Sequence, residues 1–187
     1  KRSGVQISSL AHNVFMKKFI FIFLIFTQIS CEKDESVEIS DNNETNSLIE
    51  VTVFMFELCP VAQYMTLPLR NLHEEFASKN IIFRAIFPNL ISTQETVLNF
   101  SNKYSFPFNC ILDENQEMVN QFNASVYSEV FVHFSGNLVY KGMVNDSYSA
   151  LGQWSPPENH YLYDVLSLLV QGEKVKYFEN NAIGCNI

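Results

Sequence analysis

The run Val51-Thr-Val-Phe-Met-Phe-Glu-Leu-Cys59-Pro60 constrains the fold more than any other segment, because the chain must change there from strand to helix. Thr52, Phe54 and Phe56 alternate with Val51, Val53 and Met55, a β-branched and aromatic pattern of strand length that stops at Pro60. Proline suits the first helical position, where its missing N–H costs nothing, and Val61 to Ser78 reads as a helix. Cys59 then falls at the N-cap. It faces free N–H groups and the positive end of the helix dipole, both of which favour thiolate over thiol. The plainer reading of the same residue is a small buried core side chain.

Beyond that helix the element types alternate. Ile81 to Phe87 reads as a strand closed by Pro88-Asn89, and Thr93 to Tyr104 as a helix. Phe106 to Asp113 contains a short strand, and Glu114 to Phe122 reads as a helix. This order argues for parallel strands covered by helices. The pattern then changes. Val130 to Phe134 and Leu138 to Gly142 flank Ser135-Gly136-Asn137, a β-hairpin signature. Glu158 to Gln171 reads as a closing helix, with Leu162, Val165, Leu166, Leu169 and Val170 on one face and Gly172 ending it.

The N-terminal part carries a different signal. Met16-Lys17-Lys18, the apolar run Phe19 to Phe26 and the small-residue stretch ending at Ser30-Cys31 have the regions of a secretory signal. The apolar run is far short of the roughly 20 residues a spanning helix needs. Ser30-Cys31 resembles a bacterial lipobox, with Gln28 where that pattern usually has Leu. The resemblance implies lipid attachment at Cys31. The expected organisation is an upstream extension over 1–15, a lipoprotein signal over 16–30, an acidic tether over 31–47 and one folded domain over 48–187. About 140 residues suffice to bury a full core.

Charge and cysteine count narrow the function. Removing Lys1, Arg2, Lys17 and Lys18 from the 12 basic residues leaves eight against 20 acidic ones, a net charge of −12 for the processed chain. That balance argues against nucleic acid as a partner. With Cys31 assigned to lipid, Cys59, Cys110 and Cys185 remain, an odd number that allows at most one internal pair. No two of them form a C-x-x-C, and His73, His133 and His160 lack ligand spacing, so no metal or other cofactor is expected.

The strand running into Cys59-Pro60, Pro68 within the helix, the segments Phe106-Pro-Phe108 and Leu112-Asp-Glu-Asn-Gln116, the hairpin and the terminal Gly184-Cys185 together resemble the redoxin (AhpC/TSA-type) branch of the thioredoxin superfamily. The likeness spans about Glu50 to Ile187 and implies an α/β thioredoxin-like fold. The expected form is a central mixed β-sheet flanked by helices, with a C-terminal β-hairpin and closing helix. It further implies thiol–disulfide exchange, with Cys59 as nucleophile, Cys185 less directly as its redox partner, and a protein thiol or disulfide of the bacterial cell envelope as the other reactant. Pro60, Ser128 and Trp154 are the candidate partner-binding residues.

Three positions depart from the superfamily pattern. Ala62 stands where thioredoxin has its second cysteine. Ser128 stands where a cis-proline precedes the hairpin strand, and Phe56 replaces the threonine of the peroxidases. A non-proline cis bond costs roughly 2.5–4 kcal/mol. These departures support the alternative of a redox-inactive binding module of the envelope. Cys110, inside an apolar strand, reads as an inert core thiol. His133 reads as strand surface and Glu57 as a surface carboxylate, with a proton relay to Cys59 as its other possible role. The Cys185 tail, short and polar, is expected to be mobile enough to reach Cys59.

Overall fold

The computed structural model describes residues 48–187. The upstream extension, the signal, the lipid attachment at Cys31 and the acidic tether lie outside the described residues. The strands and helices follow in the order β1 (Ile49–Phe54), α1 (Pro60–Glu75), β2 (Ile81–Phe87), α2 (Gln94–Tyr104), β3 (Asn109–Leu112), α3 (Glu117–Phe122), β4 (Val130–Phe134), β5 (Asn137–Gly142), β6 (Tyr148–Ala150), β7 (Gln153–Trp154), α4 (Tyr161–Val170) and β8 (Phe178–Glu179).

Six strands form one mixed sheet in the order β3-β2-β1-β4-β5-β8. β1 pairs in parallel with β2 from Ile49 opposite Ile81 to Phe54 opposite Ile86, and antiparallel with β4 on its other side. The period-2 pattern divides the core between the two faces. Val51, Val53, Ala85, Phe87, Val130 and Val132 join one cluster with Leu69 of α1, Phe100 of α2 and Leu166 of α4. Phe54, Ile86 and Phe131 face the other way, against Val119, Met118 and Phe122 of α3. The central strand is therefore covered on both faces, and the residue after its end is held firmly.

Several element boundaries differ from the sequence expectation for identifiable reasons. The third helix starts at Glu117, not Glu114, because Gln116 takes a left-handed φ of 54° and the Asp113 carboxylate accepts hydrogen bonds from the Met118 and Val119 amides at 3.0 and 3.2 Å. The closing helix starts at Tyr161, not Glu158. Asp146 accepts from the Glu158 and Asn159 amides at 2.8 and 3.0 Å and holds both in the preceding loop. β6, β7 and β8 were not expected at all.

Gly142 ends β5 with φ +148°, and a Cβ there would stand 2.0 Å from Asn180 Oδ1. That oxygen accepts from the Met143 amide at 2.8 Å and the Tyr140 hydroxyl at 3.3 Å, so it anchors the start of the C-terminal tail. Gly142→Ala should lose roughly 1–3 kcal/mol through backbone strain and the broken anchor. The corresponding fall in Tm is roughly 3–10 °C, readable by thermal denaturation; an unchanged Tm would show that the anchor contributes little.

Candidate functional site

Cys59 is the N-cap of α1 with φ −78° and ψ 117°, and Pro60 opens the helix. The Cys59 carbonyl accepts the first intrahelical bond from the Gln63 amide at 2.9 Å, while the Gln63 side chain donates to the Glu57 carbonyl at 2.6 Å. The strand-to-helix turn is thus held from both ends. The thiol takes no capping hydrogen bond from the first-turn amides, contrary to the expectation from its position. It is 1 % exposed, although Leu58 beside it is 65 % exposed and Pro60 is exposed too.

The side chain that meets Cys59 is Cys185. Cys59 raises the Cys185 pKa through hydrogen bonding and charge, which places the two thiols side by side, and Cys185 packs against the main core cluster. The contact depends on a chain of tail interactions with residues 125–128. The Tyr127 amide donates to the Cys185 carbonyl at 2.9 Å, the Ile187 amide donates to the Ser125 carbonyl at 3.1 Å, and Val126 bridges Asn186 in antiparallel sense. Ser128 Oγ donates to the Ile183 carbonyl at 3.1 Å. The tail is therefore seated rather than loose. Gly184 permits this fit, since a Cβ there would stand 1.9 Å from the Tyr127 carbonyl oxygen.

Ser128 is buried at 3 % exposure with φ 74°, and its amide donates to the Phe54 carbonyl at 2.6 Å. The Phe54 amide returns a bond to the Glu129 carbonyl at 3.1 Å, which stitches this segment to the strand that leads to Cys59. Tyr127 completes the surroundings of the thiols. Its hydroxyl accepts from Asn89 Nδ2 at 2.9 Å, and its ring lies 5.1 Å from that of Phe56. Burial pushes the Tyr127 phenol up, the Asn89 hydrogen bond opposes that rise, and the charges of Cys59, Cys185 and Glu57 add to it. Tyr127 and Asn89 were missed by sequence reasoning, because no local pattern links a turn after β2 to a loop before β4.

The remaining candidates fall into place around this pair. Glu57 uses its carboxylate on the Ser92 hydroxyl at 2.6 Å and the Thr96 hydroxyl at 2.5 Å, tying the turn before Cys59 to the start of α2. Trp154 is on the separate β6–β7 ribbon, half exposed, with its ring 6.1 Å from Tyr64 of α1, so its described contact is with the helix and not with the thiols. Cys110 sits in β3, two strands from β1, where its thiol donates to the Phe108 carbonyl at 3.5 Å. Burial raises its pKa, and a hydrogen bond with Ser101 offsets part of that rise. His133 is half-buried against Phe122 with Nδ1 unpartnered among the described residues, and burial lowers its pKa. Among the described residues no group of three or more His, Cys, Asp or Glu is placed to hold a metal ion.

Burial is the main reason the Cys185 thiol is pushed up to about 11, with the hydrogen bond to Cys59 and the Cys59 charge adding to it. Replacing Cys59 by Ser removes the charge contribution and leaves burial. In a chain whose one remaining thiol is Cys185, the midpoint should fall from about 11 and stay above the free-cysteine value of about 8.5. Ultraviolet thiolate absorbance against pH reads it, and a midpoint at or below the free value would remove the burial argument.

No protein-family model and no curated protein matches the chain. Solved structures do. An uncharacterized conserved protein from Geobacillus kaustophilus superposes with TM-score 0.68 at 23 % identity, over 76 % of this chain and 78 % of that one. A thiol:disulfide interchange protein from Bacteroides sp. gives 0.52 at 14 % identity, over 71 % and 80 %. A thioredoxin-like protein from Aeropyrum pernix gives 0.50 at 21 % identity, over 67 % and 80 %. The chain has a thioredoxin-like fold, as the sequence resemblance implied.

Proposed function

We propose that this protein is a thiol–disulfide oxidoreductase of the thioredoxin-like type, tethered to the bacterial envelope membrane by lipid at Cys31. Cys59 is the nucleophile, Cys185 resolves it, and the other reactant is an envelope protein thiol or disulfide. The observation that carries the reading is that the seated tail brings the Cys185 thiol beside Cys59, close enough for the two to interact. It answers the missing C-x-x-C, because the second sulfur comes from the chain's far end and not from the helix turn.

In the reducing direction, Cys59 thiolate attacks one sulfur of the partner's disulfide and releases the other as a thiolate. Deprotonated Cys185 then attacks the Cys59 sulfur of the mixed disulfide, and the second partner sulfur leaves as a thiolate. The partner gains two electrons, and the Cys59–Cys185 pair, now a disulfide, has lost them. A dithiol reductant must restore the pair. The opposite sequence oxidises a partner dithiol.

Because Cys185 is held as a thiol up to about 11, it must lose its proton before it can resolve the mixed disulfide. Once Cys59 is in that disulfide it carries no charge, so its contribution disappears, and Cys185 still has to give up its proton before it attacks. The resolution step should accelerate by about tenfold per pH unit across the neutral and mildly alkaline range, following the thiolate fraction. Stopped-flow release of the second partner thiol measures it, and a flat profile would exclude Cys185 as the attacking group.

Peptide mapping of the oxidised protein should give a Cys59–Cys185 bridge with Cys110 reduced. Cys185→Ser should accumulate a mixed disulfide on Cys59, and Cys59→Ser should abolish exchange. A Cys59–Cys110 bridge would overturn the pairing. Replacing Cys31 by Ser should move the protein from membranes to the soluble envelope fraction; a variant that still pellets would refute the lipid anchor.

A further inference from the structure

We propose that the tail segment 183–187 is a two-position gate over Cys59. Seated, it excludes any partner from the thiol; released, it opens the thiol while staying tethered at Asn180. The proposal rests on the reading above only in taking Cys59 as the thiol that reacts with a partner.

Three observations carry it. Cys59 is 1 % exposed while Leu58 next to it is 65 % exposed, so the reactive atom lies beneath a rim that is itself open to solvent. A sulfur atom attacking or being attacked must be reached by another sulfur in line with the bond that breaks, and a 1 % exposed thiol offers no such approach. The group in contact with Cys59 belongs to the tail, through Cys185.

The second observation is how the tail is held. It is joined by the Tyr127 amide to the Cys185 carbonyl, the Ile187 amide to the Ser125 carbonyl and the Ser128 hydroxyl to the Ile183 carbonyl, at 2.9, 3.1 and 3.1 Å. These are a few local bonds along one short segment, with Asn186 exposed and Ser125 exposed beneath it. Such contacts open at much lower free energy than a central strand. The Tyr127 amide and the Ser128 hydroxyl are buried while the tail is seated, and its release uncovers them to water or to an incoming backbone that can satisfy them.

The third observation is the anchor. The Asn180 amide donates to the Lys141 carbonyl at 3.1 Å, and its side-chain oxygen accepts from the Met143 amide and Tyr140 hydroxyl. The hinge thus lies five residues before Cys185. At roughly 3.3–3.6 Å per extended residue, the arm carries Cys185 no more than about 18 Å from the anchor. The same short arm that clears the site keeps the resolving thiol close enough to return.

The test uses the Cys185→Ser chain, in which no Cys59–Cys185 disulfide can form, and a small neutral alkylating reagent, with modification of the Cys59 and Cys110 peptides followed by mass spectrometry. Cys59 should react slowly. Adding Gly184→Ala, whose Cβ cannot fit 1.9 Å from the Tyr127 carbonyl oxygen, should speed Cys59 by at least about tenfold and leave Cys110 unchanged. Cys59 reacting like a free cysteine in Cys185→Ser alone, or indifferent to Gly184→Ala, would overturn the gate. If the double variant unfolds, Cys110 accelerates too, and hydrogen exchange on the unaltered protein decides. The Tyr127 and Ile187 amides should exchange together and well before the amide of Val132 in β4; exchange of all three only with global unfolding would refute local opening. Neither readout involves turnover, so a protein without oxidoreductase activity could still have the gate, and an active one could lack it.

Discussion

Phe54 is the residue at which the sheet and the candidate site are joined. Its carbonyl accepts the Ser128 amide at 2.6 Å and its amide donates to the Glu129 carbonyl at 3.1 Å, so the last residue of β1 fixes the segment that precedes β4. The side chain is fully buried against Phe122 and Phe131, at ring separations of 5.7 and 5.6 Å. A central strand covered on both faces cannot shift along its neighbours without exposing one of its apolar sets. The position of Cys59, five residues on, inherits that rigidity, and so does the loop on which the tail sits.

The electrostatics of the site follow from putting two thiols together where little water reaches. A buried site can hold one negative charge far more readily than two. Cys185 is pushed up to about 11, first by burial and then by its hydrogen bond to Cys59 and the Cys59 charge, so it keeps its proton and donates it toward Cys59. Tyr127 shares the same constraint. Its hydroxyl already accepts from Asn89, and burial together with the surrounding acidic groups keeps it a neutral phenol. Glu57 is close enough to raise the phenol but spends its own lone pairs on Ser92 and Thr96. The carboxylate is better described as a strut for the turn than as a base.

The parts of the fold that the sequence made legible are those with a local signature. β2 is found where the alternation and Pro88 place it, and the hairpin strands flank the Ser135-Gly136-Asn137 turn with only Asn137 added. β8 is two residues long, too short to display any period, and it exists because it lies beside β5. The helix starts moved because Asp113 accepts from the Met118 and Val119 amides and so fixes the first turn after Gln116, while Asp146 binds two amides that the periodic pattern had assigned to helix. The site divides in the same way. Cys59 and Pro60 are readable from their own neighbourhood. The place of Cys185 depends on pairing between residues 60 apart in the chain, Val126 and Asn186, which no window of sequence contains.

The seating of the tail turns on two backbone positions that need each other. Ser128 holds φ 74°, a conformation disfavoured for a residue with a Cβ, at a cost of order 1 kcal/mol. The strain persists because its amide is bound to Phe54 and its hydroxyl to the Ile183 carbonyl. A glycine would relieve the strain and lose the second of these bonds, whereas a proline would lose the first. Gly184, one residue beyond Ile183, has the opposite requirement, since any side chain would meet the Tyr127 carbonyl. Serine at 128 and glycine at 184 are therefore two halves of one contact, and that contact brings the second sulfur to a helix start that has none of its own.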